Sequence, residues 1–400
     1  MNNKKFGFFT LSFLWFGAAI SIAEILTGGL LAPLGFTKGL EVIIVGHLIG
    51  TIILVLGGFI GFKEGVPAIT STRISFGKYG TYLFSILNVL QLIGWTAVMI
   101  RAAATSVQLI TKSIWGFDNL FICIILISIL TGIWIWFGRD GMKNLNVIAV
   151  SLLFILTLVL GFIIFKDGAV FSKTFDGEIS IGQALELNIV MPLSWLPLIA
   201  DYTRFAKNGK SAVFGSFIGY FLGSSWMFII GLGASIVSNS SDPSYIMLAS
   251  NLGIIALGII VLSTVTTTFL DIYSAGISFL NIMPKLNERK IGLIMTIIGT
   301  IVALLVQMEN YEGFLYAIGS VFAPLFAILI SDYFLLKRRL EKNVLINIKS
   351  IIVWVIGIII YYIFIKLDFI IGSTLPAMII TAFINIIFSG RVFKWRILEK

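Results

Sequence analysis

The chain is poor in charge: 12% of its 400 residues are Asp, Glu, Lys or Arg, about half the share carried by soluble domains. Cysteine occurs once, at Cys123 within an apolar run, so no disulfide framework exists within the chain. Histidine also occurs once, as His47, and no stretch groups metal-ligating side chains at ligand spacing. A phosphate-cradling loop is missing, as is a nucleophile beside its base. ATP-driven transport by this chain alone and membrane-enzyme chemistry therefore lack a basis, and no cofactor is expected. The net charge of +9 is not gathered into a surface stripe, which argues against nucleic acid as a partner.

What the chain has in abundance is apolar sequence. Hydrophobic residues make up 58% of it, and its mean hydropathy is +1.05. Runs of about 18–25 apolar residues, each able to cross a bilayer, recur twelve times, at 11–33, 41–62, 81–110, 119–137, 144–165, 182–203, 212–237, 252–281, 291–308, 314–335, 349–366 and 369–389. With the N-terminus inside, 22 of the 28 Lys and Arg fall on inner segments and five on outer ones, with Arg101 within a span. That asymmetry supports both the span count and cytoplasmic termini. The opening Met1-Asn-Asn-Lys-Lys resembles a signal n-region, but no A-x-A-like cleavage site follows, so it is read as retained.

A basic hinge, Leu336–Lys342, follows span ten. Spans one to five and six to ten then form halves of similar length, about 11–165 and 182–335, within a core of residues 1–340; two further helices occupy 341–400. An odd number of spans per half gives the halves opposite topology, the geometry of an inverted repeat.

Two spans are built to break. Span one, Leu14–Pro33, carries Ser21, Glu24, Thr27 and the pair Gly28 and Gly29. Span six places Ser194 and Trp195 between Pro192 and Pro197, and each proline removes a helix donor. Weakened helices survive in hydrocarbon only where they face a cavity or other protein, and a pair of them in corresponding positions points to a transport site. Asn88, Gln91 and Trp95 share one face of span three and suit a planar heterocycle, by amide hydrogen bonds and stacking; interhelical bonding is the alternative. Span eight holds Ser263, Thr264, Thr266, Thr267 and Thr268 in six positions, with Asp271 one turn beyond Thr267. Such hydroxyls are hard oxygen ligands suited to sodium, or they bond the carbonyl one turn back. Asp271 completes that site or pairs with Arg101. His47 reads as neutral and satisfied, with a proton relay as the alternative, and Asp201 with Arg204 as an ion pair or gate.

In order, Thr27-Gly-Gly, Arg73-Ile-Ser-Phe-Gly77, Gly94-Trp95, Ala200-Asp-Tyr-Thr-Arg204, the span-eight hydroxyls and Asp332-Tyr-Phe334 resemble the nucleobase–cation symporter-1 family. The opening Trp15-Phe-Gly-Ala-Ala-Ile-Ser-Ile-Ala-Glu-Ile25 is most similar to its hydroxymethylpyrimidine (thiamine-precursor) branch. The resemblance implies an all-α integral membrane fold of twelve transmembrane helices, a leucine-transporter-like five-plus-five inverted repeat plus two C-terminal helices. It implies a planar substrate between aromatics of spans three and six, bonded by an amide of span three, here Trp95 and Gln91. Pro192 stands at the usual span-six aromatic position, with Trp195 from the next turn as its substitute, and Asn88, Ser194, Thr268 and Glu24 are the further candidate contacts. It also implies sodium held by carbonyls around Gly17, Ala18 and Ser21 and by Ser263, Thr266 and Thr267. Thr268 stands where cytosine permeases have asparagine, which implies a ligand other than cytosine. The expected function is cation-driven import of an aminopyrimidine across the cell membrane, with sodium or protons as coupling ion and no obligate protein partner. Cytosine or another base is the alternative cargo.

Overall fold

The computed structural model describes residues 5–173, 175–239, 253–305, 310–341, 343–389 and 398–399. Fourteen α-helices are named here: α1 (Phe8–Ala19), α2 (Ile22–Gly29), α3 (Phe36–Glu64), α4 (Ala68–Ser71), α5 (Arg73–Trp115), α6 (Leu120–Phe165), α7 (Ile181–Leu193), α8 (Leu196–Thr203), α9 (Ser216–Ser238), α10 (Gly253–Leu280), α11 (Glu288–Leu305), α12 (Tyr311–Ile330), α13 (Ile348–Lys366) and α14 (Thr374–Ser389). A two-stranded antiparallel pair, Val344–Ile346 with Leu398–Glu399, is the sheet among the described residues.

Eight of these segments are long and apolar enough to cross a membrane, or nine with α1 and α2 taken as one span bent by 58°. They coincide with nine of the twelve expected runs. The other three runs fall on helices that are shorter or carry more charge: Val150–Phe165, which continues α6, together with α11 and α14. The outer loop at Ser240–Ser244, the end of span nine and the basic residues Lys342, Arg391, Lys394 and Arg396 lie outside the described residues.

The helices sort into two groups. In one, α1, α2, α3, α7, α8 and α9 pack on one another; in the other, α5, α6, α10 and α11 do so. The α7–α8 span is the innermost, 94% buried, whereas α13 is 28% buried and peripheral. Large apolar side chains such as Phe9, Phe121, Phe162 and Leu305 point outward, as expected of a surface solvated by lipid. Close packing replaces hydrophobic drive between helices in hydrocarbon. Where α2 crosses α9, a Cβ on Gly28 would meet the Phe228 carbonyl oxygen at 2.3 Å. This corrects the reading of Gly28 and Gly29 as the break: α2 runs through them, and the chain opens earlier, at Ile20 and Ser21.

Buried polar residues tie the periphery to the core. Glu186 on α7 accepts from Tyr361 Oη (2.6 Å), the backbone amides of Ser373 (2.6 Å) and Thr374 (2.8 Å), and Thr374 Oγ1 (2.7 Å). It thereby caps α14 and anchors α13 as well. At the other end of α14, Asn385 donates to Asp332 (2.9 Å), which also pairs with Arg338 at 3.2 Å. The Asp201–Arg204 pair takes another form than expected. The Asp201 carboxylate accepts the Ala68 amide at the start of α4, while Arg204 donates to the Asp201 carbonyl and lies over the Phe205 ring.

Replacing Glu186 by Ala orphans four buried donors at about 1–3 kcal/mol each before relaxation. Glu186→Ala is expected to lower the thermal unfolding temperature in detergent markedly, and Glu186→Gln less so. An unchanged melting curve for the alanine variant would mean that α13 and α14 are held some other way.

Candidate functional site

The first break is local. Helix α1 ends at Ala19, Ile20 turns out of helical geometry, and Ser21 is extended (φ −139°, ψ 158°). Ser21 then caps α2 by accepting the Glu24 amide at 3.4 Å, which puts Glu24 in the first turn, where a helix favours negative charge. Because the Ser21 amide bonds Ala19 and the Ile20 amide bonds Phe16, no backbone partner takes the Gly17 or Ala18 carbonyl among the described residues. Ser263 on α10 donates to the Ile20 carbonyl at 3.0 Å, so the hydroxyl-rich face of α10 stands against this opening.

The second break is milder. Ser194 and Trp195 keep near-helical dihedrals, and α7 and α8 remain one span. Pro197 has no amide hydrogen, and the Leu198 amide bonds Trp195 rather than Ser194. The Ser194 carbonyl is left free, and Gln91 on α5 donates to it at 3.0 Å. The broken backbone of one helix group is thus satisfied by a side chain of the other.

Between the groups lies a narrow cavity, with about 20 Å³ open to the centre of a water molecule. From the first group come Ser21, Ala23 and Glu24 at one break and Met191, Ser194 and Trp195 at the other; from the second come Trp95, Met99, Thr267 and Asp271. The two indoles are fixed by edge-on aromatic contacts. Trp95 meets Phe314 and Tyr311 (ring centroids 5.4 and 6.1 Å), and Trp195 meets Trp15 and Tyr220 (5.8 and 6.5 Å). Glu24 accepts from Tyr220 Oη at 3.0 Å, and its other oxygen lies 2.7 Å from Ser224 Oγ. The Asp271 carboxyl is buried, with no hydrogen bond or ion pair among the described residues. Its suggested partner Arg101 donates instead to the Ala303 carbonyl (3.4 Å).

A protein-family model described as "Permease for cytosine/purines, uracil, thiamine, allantoin" matches residues 2–386. The chain belongs to this permease family. It is 29% identical over 355 residues to the cytosine permease of Escherichia coli K12, covering 86% of this chain and 82% of that one. Its fold is similar to that of Mhp1, a nucleobase-cation-symport-1 family transporter in a closed conformation with bromovinylhydantoin bound (TM-score 0.82, 18% identity, 96% and 92% of the chains). It is also similar to a Na+-coupled sialic acid symporter (TM-score 0.66, 14% identity, 94% and 88%). The permease therefore has the leucine-transporter-like repeat fold with two added helices, and its relatives are transporters.

Among the residues singled out in the permease sequence, Ser21, Glu24, Trp95, Ser194, Trp195 and Thr267 line the one cavity. Gln91 and Asn88 stand behind its wall. Gln91 Nε2 serves Ser194 and also Asn88 Oδ1 (3.2 Å), while Asn88 donates to Ser278 (2.8 Å). Thr268 is buried away from the cavity lining, and Thr266 spends its proton on the Leu262 and Ser263 carbonyls. Asp271 and the Tyr220–Ser224 backing of Glu24 deserved more weight from sequence. Asp271 lies one turn from Thr267, and Tyr220 and Ser224 are one turn apart in an otherwise apolar span.

The donors beside the first break fit a hard monovalent cation. No backbone donor takes the Gly17 or Ala18 carbonyl, Ser263 bonds the nearby Ile20 carbonyl, and the buried Thr267 hydroxyl has no hydrogen-bond partner, all among the described residues. No His, Cys, Asp and Glu cluster fit for a metal occurs among the described residues. In a sodium titration followed by tryptophan fluorescence without cargo, Ser263→Ala and Thr267→Ala are each expected to weaken apparent affinity about tenfold, some 1.4 kcal/mol. Thr264→Ala, also buried but off the cavity lining, is expected to match the native chain.

Proposed function

We propose that the permease is a secondary active importer of an aminopyrimidine, most specifically 4-amino-5-hydroxymethyl-2-methylpyrimidine, driven by a cation. The observation that carries this reading is one cavity placing two fixed indoles and two carboxyls, Glu24 and Asp271, between two helix groups. Trp95 and Trp195 offer flat faces to a heterocycle. A carboxylic acid pairs with an exocyclic amino group and the adjacent ring nitrogen, accepting from one and donating to the other.

The state of the Gln91 amide supports this cargo over cytosine. Cytosine carries a ring carbonyl that needs a donor, and Gln91 Nε2, the nearest amide donor behind the wall, is already committed to Ser194 and Asn88. Met99 and Met191 give a soft apolar lining that suits a ring methyl. The family description, which includes thiamine, is in keeping with a thiamine precursor. The 29% likeness to a cytosine permease keeps cytosine as the second reading.

Cation coupling rests on the donor set at Gly17, Ala18, Ser21, Ser263 and Thr267, and on the fold shared with a Na+-coupled symporter. Cation in that site ties α1 of one group to α10 of the other, and so favours the conformation that admits cargo. The two helix groups, each drawing helices from both halves 11–165 and 182–335, then alternate access about the cavity, in a cell membrane with both termini on the cytoplasmic side.

Binding of radiolabelled hydroxymethylpyrimidine to purified protein, with and without sodium, tests this. Sodium-enhanced binding that an equal concentration of cytosine fails to displace is expected. Equal competition by cytosine would sink the cargo assignment in favour of the second reading. Trp95→Ala is expected to weaken binding by about 1–3 kcal/mol, the value of a stacked base on an aromatic ring.

A further inference from the structure

Glu24 is the cavity end of a buried chain that continues through Ser224 on α9 to His47 on α3. Ser224 Oγ lies 2.7 Å from Glu24 Oε2 and 2.7 Å from His47 Nε2, and His47 Nδ1 lies 3.0 Å from the Ile43 carbonyl. His47 and Ser224 are fully buried and Glu24 is 2% exposed. We propose that these three residues form a proton-holding site whose opening is the transport cavity.

Proton counting carries the proposal. A carbonyl only accepts, so the contact to Ile43 requires a hydrogen on His47 Nδ1. Two arrangements then satisfy every member. In the first, neutral His47 accepts at Nε2 from the Ser224 hydroxyl, which accepts from a protonated Glu24. In the second, His47 is an imidazolium donating at Nε2 to Ser224, whose hydroxyl donates to an ionised Glu24. The two contain the same number of protons and differ by a concerted shift. The Glu24 proton passes to the Ser224 oxygen as the Ser224 proton passes to Nε2, and no bond between heavy atoms changes. Removing that one proton forces a loss: either Nε2 faces an oxygen with no hydrogen between them, or Nδ1 gives up its bond to Ile43. One exchangeable proton therefore belongs to this chain of residues.

The far end is closed. The Phe228 ring packs edge-on against His47 at 4.5 Å, and Asn188 on α7, packed against the preceding Gly46, is a further polar neighbour of the imidazole. The titratable groups facing the site are Tyr220, which donates to Glu24; Asp271, across the cavity on α10; and Tyr311 on α12, bonded to Thr27. No cation faces it among the described residues. All three members ride on one helix group, so the proton travels with that group and exchanges with whichever side the cavity opens to. This goes beyond the cargo assignment and does not depend on it.

Infrared difference spectroscopy of the full-length detergent-solubilised chain, without cargo, tests the proposal across the pH range where imidazole and carboxyl groups titrate. The native protein is expected to show a protonated-carboxyl stretch that is lost as pH rises together with an imidazole ring signal. Glu24→Gln should abolish the carboxyl band. Ser224→Ala should shift that band and uncouple it from the imidazole signal, and sodium-induced fluorescence change certifies that each variant is folded. A carboxyl band that survives in Glu24→Gln, or none that changes with pH in the native protein, would overturn the proposal. Failure of hydroxymethylpyrimidine to bind would remove the cargo assignment and leave this result standing.

Discussion

Hydrocarbon offers no hydrogen bonds, so each peptide group in a spanning segment must find its partner within the protein. Most of this chain meets that demand by remaining helical. At Ile20–Ser21 and at Ser194–Trp195 the helix cannot meet it, and the freed groups are answered from across the molecule, by Ser263 for the Ile20 carbonyl and by Gln91 for the Ser194 carbonyl. The cavity lies where these two repairs are made. Part of its polar character follows from the same cause, because the breaks release carbonyl oxygens and draw polar side chains to meet them.

The two breaks are chemically unequal. Span one opens by 58° around an extended serine, whereas span six loses a helix bond to proline and remains a single span. The first yields bare carbonyls beside hydroxyls, an environment for a hard cation. The second yields one carbonyl and the Trp195 ring, an environment for an organic molecule. The interface thus offers two chemically different faces.

Much of this was legible in the sequence because a membrane simplifies the code. Apolar runs of spanning length located the helices to within a few residues at most ends, and the prolines of span six marked the second break. Gly28 misled, since glycine in a membrane helix serves close packing as readily as flexibility, and only the Phe228 backbone across from it tells which. Asp271 and the Tyr220–Ser224 pair were visible as residues but not as neighbours of Trp95 or Glu24. Linear spacing reports a shared helix face and is silent on which distant helix that face meets.

Like the bond from Ser263 to the Ile20 carbonyl, the bond from Gln91 to the Ser194 carbonyl is a contact in which a side chain of one helix group mends the backbone of the other. A hydrogen bond of this kind contributes about 1 kcal/mol net, close to thermal energy. It acts as a detent: strong enough to index the two groups in register, and weak enough to slip whenever they slide past each other.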